Sequence, residues 1–520
     1  MIRVRQIKIP ILNDNEKYLK NEISKKVKIN KFEIVKILHK SIDARNKENI
    51  LYVYDLVIDV NEKNIKYNDN ILKYEDINNE FVITGKNKLN SSINIIGLGP
   101  AGLFCGYVLT KLGYKVNIFE RGKCVEERKI DVENFWNNNK LNVNSNVVFG
   151  EGGAGTFSDG KLNTNIKGND DYINKVLNIF VENGANKEII YMNKPHLGTD
   201  ALFEIVKNMR NKIKENGGNI YYNSVLTNIY FENNKLTKFE INNKDIYDAD
   251  FLILAIGHSA KDTFKMLYDN NIKMTSKPFA VGVRIMHDQK LINENQYGKF
   301  SKYLPNAEYK LTYSSKNKKG VYSFCMCPGG YVVNSSSEEG YLNINGMSYS
   351  LRNSGVANSA IIVSVNEKDY GMKPLDGIKF QEELERKAYN TGKGFIPVQT
   401  YKDFKNNQIT KTSLNELKIK GKYNYANLND IFPKNICDDL KEAIDYFNNK
   451  IKGFNDEDVV LAAVESKTSC PVKFLRDENM QSNISGLFAI GEGSGYAGGI
   501  TTSAIEGLKM AKYITDNYKN

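Results

Sequence analysis

The feature that most restricts how this chain can fold is a strand–glycine–helix–strand unit at residues 93–122, INIIGLGPAGLFCGYVLTKLGYKVNIFERG. Gly97, Gly99 and Gly102 satisfy G-x-G-x-x-G, with Pro100 and Ala101 inside the turn. Ile93–Ile96 precede the glycines as a buried strand, and Leu103, Val108, Leu109 and Leu112 follow at helical spacing. Gly113 ends that helix, Val116–Phe119 form a second strand, and Glu120 closes it 23 positions after Gly97. Each residue type has a task in dinucleotide binding. Gly97 allows the tight turn, Gly99 lets a pyrophosphate approach the backbone, and Gly102 permits close helix–strand packing. The helix N-terminus then offers unpaired N–H groups to the phosphates. A carboxylate at Glu120 can accept hydrogen bonds from both ribose hydroxyls and repels a 2′-phosphate.

The motif alone does not separate NAD from FAD. Residues 486–514, GLFAIGEGSGYAGGITTSAIEGLKMAKYI, supply a second strand, glycine loop and helix, with Gly491, Glu492, Gly498, Gly499 and Ile500 at the junction. In flavoproteins with two dinucleotide sites, such a C-terminal unit sets an acid on the ribitol and a helix N-terminus near the flavin. Gly493, Gly495 and Gly498 also spell G-x-G-x-x-G, but only residues up to 520 follow, leaving no second strand to carry a ribose-binding acid.

Several longer stretches carry a resemblance: GLGPAGLFCGYVL at 97–109, FGEGGAGTFSDGKL at 149–162, FCMCPGG at 324–330, NGMSYSLRNSGVANSAIIVSV at 345–365, ESKTSCPVKFLRD at 465–477 and GLFAIGEGSGYAGGITTSAIEGLKMA at 486–511. On these the chain resembles the uncharacterised bacterial FAD-dependent dehydrogenases, also called NAD/FAD-utilising dehydrogenases, of the glutathione-reductase-like FAD-binding class. The resemblance spans nearly the whole chain in the same order. It implies non-covalent FAD and leaves the physiological reaction unassigned. It also implies that the loop at 150–162 wraps the FAD, through Gly152, Gly153, Gly155, Thr156, Ser158, Lys161 and Leu162, and that Arg128 meets a phosphate. Arg121 lies beside it, Val225 can meet adenine through its backbone, and the turn at Ala255 and Gly257 closes over the cofactor.

Catalytic residues are less legible. Lys467 sits in a polar loop shortly before the C-terminal strand, where a cation can stabilise negative charge on reduced flavin. Cys325 and Cys327, if both lie on a regular strand, share a face about 6.6–6.8 Å apart, at the edge of disulfide reach. They read as buried structural cysteines, with an active-site thiol as the alternative. His287 is one of four histidines and has a tunable proton, although a lone histidine at a strand end is more often structural. No cysteine lies between Cys124 and Cys325, so the loop at 150–162 cannot run dithiol chemistry.

Charge and composition narrow the partners. The net charge is +11, and residues 1–50 hold 13 Lys/Arg against 6 Asp/Glu, so the excess belongs to one end. A general richness in Lys, Asn, Ile and Tyr explains it more readily than a functional basic surface. Six scattered cysteines suit a reducing cytoplasm and make no zinc site. No apolar run approaches the roughly 20 residues of a membrane span.

The expected architecture is α/β: a discontinuous Rossmann-type FAD/NAD(P)-binding domain, an inserted, mainly antiparallel substrate domain and a small N-terminal α+β module. The expected boundaries are 1–88 for the basic module, 89–275 and 461–520 for the FAD-binding domain, and 276–460 for the substrate domain. A polar linker is expected over 61–80. The expected function is an FAD-dependent oxidoreductase acting by hydride transfer through flavin N5, with NAD(P)H as a candidate transient electron donor and the small-molecule substrate unknown. Two rivals stand beside it: an FAD-dependent RNA-modifying enzyme using the basic module, and an electron-transfer partner that holds flavin without small-molecule turnover.

Overall fold

The computed structural model describes residues 1–75, 80–89, 91–164, 168–411, 414 and 416–520, so part of the expected linker, 76–79, lies outside the described residues. The chain divides into two compact units: residues 1–80, 161–196 and 289–307 in one, and 81–160, 197–288 and 308–520 in the other.

In the smaller unit, strand β1 (Ile2–Pro10) is followed by helix α1 (Glu16–Val27), then β2 (Glu33–Asp43), β3 (Leu51–Asp59) and β4 (Ile71–Lys73). Asn15 caps α1 by accepting from Tyr18 N, and the sheet order is β2-β3-β1-β4, antiparallel. Leu19, Ile23 and Val27 recur at helical spacing and are buried with Ile2, Val4, Ile7 and Ile9 of β1. A bulge at Gln6, whose φ is 54°, shifts the register between Val4 and Ile7, so apolar side chains on both sides of it reach one core.

The larger unit begins with β5 (Ile93–Ile96), α2 (Pro100–Lys111), β6 (Val116–Phe119) and α3 (Val125–Asn138), then α4 (Gly198–Glu215), β7 (Asn219–Tyr221), β8 (Leu252–Leu254) and α5 (Lys261–Asp269). Its first sheet has five strands, all parallel, and takes its outer member from near the chain's end. All four residues of β5 are buried, as expected for a strand covered on both faces.

The second sheet has seven strands. β9 (Phe279–Asp288) pairs antiparallel with β12 (Val356–Val365) from Phe279↔Val365 to Asp288↔Val356. β10 (Gly320–Cys327) flanks β12, and the short β11 (Ile344–Met347) belongs to a separate three-stranded sheet. Helix α6 (Asp376–Thr391) precedes β13 (Ile396–Thr400), and β14 (Val460–Glu465) lies between β9 and β13. The chain then returns through β15 (Leu487–Ala489) to the parallel sheet, whose order is β15-β8-β5-β6-β7, and ends in α7 (Ile500–Asn517).

Two glycines explain how closely these parts meet. A Cβ on Gly102 would stand 2.0 Å from Gly97 O, and one on Gly507 of α7 would stand 2.2 Å from Ala101 O of α2. Both separations are far below van der Waals contact, so only glycine lets α2 sit against its own loop and against α7. Ten of the twelve α2 residues are buried. Each large apolar side chain hidden this way contributes roughly 1.5–3 kcal/mol.

Candidate functional site

In an open parallel sheet the loops after the strands converge at the carboxyl edge, where ligands bind. Here those loops are Gly97–Gly99 after β5, Glu120 after β6, 255–259 after β8 and 490–499 after β15. Gly97 has φ 102°, and a Cβ there would meet Ala255 O at 2.4 Å, so the β5 and β8 loops touch through a glycine. Around this contact the backbone is open. A Cβ on Gly257, Gly498 or Gly499 would meet nothing within 4 Å, and one on Gly99 would find only Gly153 Cα, at 3.8 Å. Pro100 stands at the first turn of α2, where its missing N–H costs nothing.

The loop 149–160 folds against this edge. A Cβ on Gly153, φ 65°, would stand 3.0 Å from Gly99 Cα, and one on Gly155 would stand 2.8 Å from Cγ1 of Ile500 at the start of α7. Ser158 Oγ donates to Gly155 O at 2.6 Å and accepts from Gly160 N, so its hydroxyl is used within the loop. Thr156 Oγ1 and Ser259 Oγ are buried and have no hydrogen-bond partner among the described residues. Lys161 and Leu162 fall in the smaller unit, where Leu162 is buried and its N–H donates to Pro195 O.

The carboxylate and arginines expected around the adenosine half take definite positions. Glu120 is 5% exposed and accepts from Leu98 N at 2.7 Å, Gly122 N at 2.9 Å and Gly150 N at 3.0 Å. Three N–H groups on a group with about four acceptor sites leave room for one more donor. Arg121 pairs with Asp262 at 2.6 Å and lies over the Phe149 ring. Arg128 is fully buried, and its guanidinium donates to the carbonyls of Asn146, Val147, Gly150 and Glu151. In the structure it therefore braces the glycine loop from behind, whereas the sequence reading had turned it toward a phosphate. Val225 donates its N–H to Asn242 Oδ1 and accepts from Asn242 N, so its backbone is already engaged.

Sequence reasoning missed the groups that hold the loop. Glu151, hidden in the glycine run, accepts from Val125 N, Tyr222 Oη and Arg210 Nη1 at 2.8–2.9 Å, and Arg210 also forks onto Glu126. Asp159 accepts from Arg352 and from Ser348 Oγ, tying the loop's end to the segment after β11. Glutamate at a loop start and arginine in mid-helix carry no local signature; only the fold pairs them.

The remaining candidates separate into two groups. The Lys467 side chain is 6% exposed, with Nζ 3.1 Å from Ser337 Oγ and 3.9 Å from Glu385 Oε1. Burial pushes its pKa down, Glu385 opposes this, and Lys261 adds to it. Glu385 also meets Lys261 at 3.2 Å. Burial alone would raise the Glu385 pKa, but Lys467 and Lys261 hold it below the usual value. His258, in the loop after β8, has Nδ1 3.7 Å from Glu492 Oε2, and burial lowers its pKa against the pull of that carboxylate. The structure thus brings Lys467 and Glu492 to one neighbourhood through His258, Glu385 and Lys261, none of which the sequence singled out.

Cys325 and Cys327 sit on a bulge. The register slips between Phe324 and Cys327, and Cys325 has φ 42°. Neither forms a disulfide, Cys327 is fully buried, and its neighbouring thiol and burial raise its pKa well above the ordinary value. Arg284 Nη1 donates to Cys325 O, and Arg284 is itself buried against Glu465 at 2.7 Å. His287 is buried on β9, one ring nitrogen bonded to Phe454 O and Nδ1 without a partner among the described residues. Burial pushes its pKa down to about 4 against the opposing backbone bond. It sits as a neutral core residue. Among the described residues no cluster of three His, Cys, Asp or Glu could hold a metal, and no helix is long and apolar enough to cross a membrane.

Comparison with known proteins gives the class first. Residues 278–468 match the family described as FAD-dependent protein, C-terminal domain-like, and residues 1–59 match a domain of unknown function. This is an FAD-dependent flavoprotein of mixed α/β fold, and FAD is its cofactor. An uncharacterized protein of Clostridium beijerinckii is 42% identical over 532 residues, covering 99% of this chain and 99% of its own length. The chain belongs to the family of that protein. Among solved structures it is similar to an E. coli quinol fumarate reductase (10% identity, 83% of this chain, 70% of that one, TM-score 0.37). It is also similar to glycine oxidase from Geobacillus kaustophilus (10% identity, 82% of this chain, 95% of that one, TM-score 0.36) and L-proline dehydrogenase from P. horikoshii (12% identity, 82% and 94%, TM-score 0.33). Likenesses this distant say nothing of its substrate.

Proposed function

We propose that this chain is an oxidoreductase that holds FAD without a covalent link at the carboxyl edge of its parallel sheet. The observation that carries the reading is the open glycine-lined edge: Gly257, Gly498 and Gly499 leave space that no described residue fills, beside the buried hydroxyls of Thr156 and Ser259, which have no hydrogen-bond partner among the described residues. These groups fit a dinucleotide, whose phosphates need close backbone and whose ring needs hydrogen-bond donors. In this reading the parallel sheet, with its last strand from residues 487–489, is a discontinuous Rossmann-type domain. The loop 97–102 takes the pyrophosphate, Glu120 the ribose, and Glu492 the ribitol, while the sheet built on β9 and β12 belongs to the substrate side.

Bound flavin supplies hydride transfer at N5. The chain's own part is to shape the site and place charge in it: Arg128 and Glu151 brace the loop that would lie along the ring, and Lys467 puts an ammonium inside a water-poor region, where it counts for more than in water. Cys327 is unsuited to thiolate chemistry, because burial disfavours its charged form. NAD(P)H is the donor to try first.

The purified protein should be yellow and release FAD on denaturation. Under anaerobic conditions, NADH or NADPH should bleach the flavin absorbance near 450 nm. A colourless protein that takes up no added FAD would overturn the reading, and a flavin that neither nucleotide bleaches would remove NAD(P)H as donor.

A further inference from the structure

Three segments that are distant in sequence enclose one buried carboxylate. Glu385, on α6, is 1% exposed and lies between two lysines: Lys261 Nζ at 3.2 Å from Oε2 and Lys467 Nζ at 3.9 Å from Oε1. Ser466 Oγ donates to Oε1 at 2.6 Å, which holds the carboxylate toward the Lys467 loop. Lys261, at the start of α5, is also met by Glu338 at 3.4 Å and Glu382 at 3.7 Å, both about one-third exposed. Its charge is therefore answered from the rim. Among the described residues Lys467 has no second carboxylate within 4 Å, and Glu338 and Glu382 act on it only from farther away. Its one hydrogen bond is to Ser337, and an ammonium carries three donors, so two are unused by protein among the described residues. The neighbouring His258 is 12% exposed and stands next to Glu492.

A buried ammonium with spare donors is costly unless a carboxylate answers its charge. Resting on the flavin placement proposed above, we propose that Glu385 is a positioning residue for the flavin site: shared between Lys261 and Lys467, it keeps Lys467 protonated and its free donors directed at the cofactor. Lys261 acts against it. It draws on the same carboxylate and repels Lys467, so Glu385 and Lys261 set the charge on Lys467 in opposite senses. The groups around Lys467 are Glu385 and Glu382 from α6, Lys261 from α5, Glu338 and Ser337 from the loop after 331–334, and His258 after β8. The directions agree: Glu385, Glu338 and Glu382 favour its charged form, and burial and Lys261 disfavour it.

The test is the midpoint potential of the bound flavin followed against pH in the purified holoprotein, with heat unfolding of each variant to confirm a native fold. A nearby cation favours reduced flavin, so loss of the Lys467 proton appears as a break to lower potential. Glu385→Gln removes the favouring carboxylate and should move that break at least one pH unit lower. Lys261→Gln removes the repelling ammonium and should move it higher. Lys467→Met should abolish the break. General loosening of the site would move the first two variants the same way, and that result, or no movement in either, would overturn the role of Glu385 while leaving the flavin placement intact. If Lys467→Met leaves the potential and its pH profile on those of the wild type, the placement of the flavin beside Lys467 is what fails.

Discussion

Gly498, in the loop after β15, and Gly102, in the first turn of α2, both stand at the carboxyl edge of the parallel sheet, yet the structure assigns them opposite sensitivities. A methyl on Gly102 would stand 2.0 Å from Gly97 O and 3.2 Å from Ile95 Cγ2, a clash with backbone that no side-chain rotation relieves. Gly102→Ala should therefore cost roughly 1–3 kcal/mol or more of stability, as overpacking in a rigid core does. A methyl on Gly498 meets no protein atom within 4 Å, and this exposed residue lies outside the set with positive φ. Gly498→Ala should leave the apoprotein unchanged, or stabilise it by about 0.4–1 kcal/mol through the unfolded chain. If FAD fills that space, the same methyl overlaps the ligand, and an overlap of about 1.4 kcal/mol weakens binding about tenfold. Urea denaturation of the apoproteins reads the first effect, and titration of FAD by flavin fluorescence reads the second. The reasoning is refuted if Gly498→Ala lowers the urea midpoint as far as Gly102→Ala does, or if it binds FAD as tightly as the wild type.

Two further outcomes follow from buried charge. Arg128→Met leaves the carbonyls of Asn146, Val147 and Glu151 without their arginine donor, while Gly150 O keeps Gly153 N; at roughly 1–3 kcal/mol per unpaired buried group it should cost about 4 kcal/mol or more, seen as a large fall in the thermal midpoint with loss of FAD. A variant that unfolds within 2 °C of the wild type would contradict the bracing role. His287 has its folded pKa depressed to about 4, so between that pH and its ordinary value near 6.5 the unfolded chain binds the extra proton and stability falls with falling pH. The full effect is roughly 3 kcal/mol, and His287→Leu should flatten the acid side of the stability–pH curve relative to wild type; an unchanged slope difference across pH 6.5 to 4 would show the ring to be hydrated.

Much of the fold could be read locally. The helices at 16–27 and 198–215 bury Leu19, Ile23 and Val27, and Leu202, Ile205, Met209 and Ile213, at helical spacing that can be seen along one segment. Residues 279–288 and 356–365, within the stretch expected to form a mainly antiparallel sheet, pair antiparallel. The site was less legible, and for one reason throughout. Arg128 reads as a phosphate contact in sequence, but its orientation depends on a loop that folds over it about 20 residues later. The spacing of Cys325 and Cys327 assumed a regular strand, and the bulge beside them is a property of pairing with β12.

The sequence by itself determined the strand–glycine–helix unit and the glycines at which backbone must meet backbone, since turn chemistry and helix periodicity act over a few residues. Only the tertiary structure decided which charges share a neighbourhood. Glu385, Lys467 and the pair His258 and Lys261 come from three segments far apart in the chain, and nothing in the spacing of any one of them foretells the others. Burial then gives that meeting its consequence: a lysine and a glutamate that would be indifferent at the surface control each other's protons once water is removed.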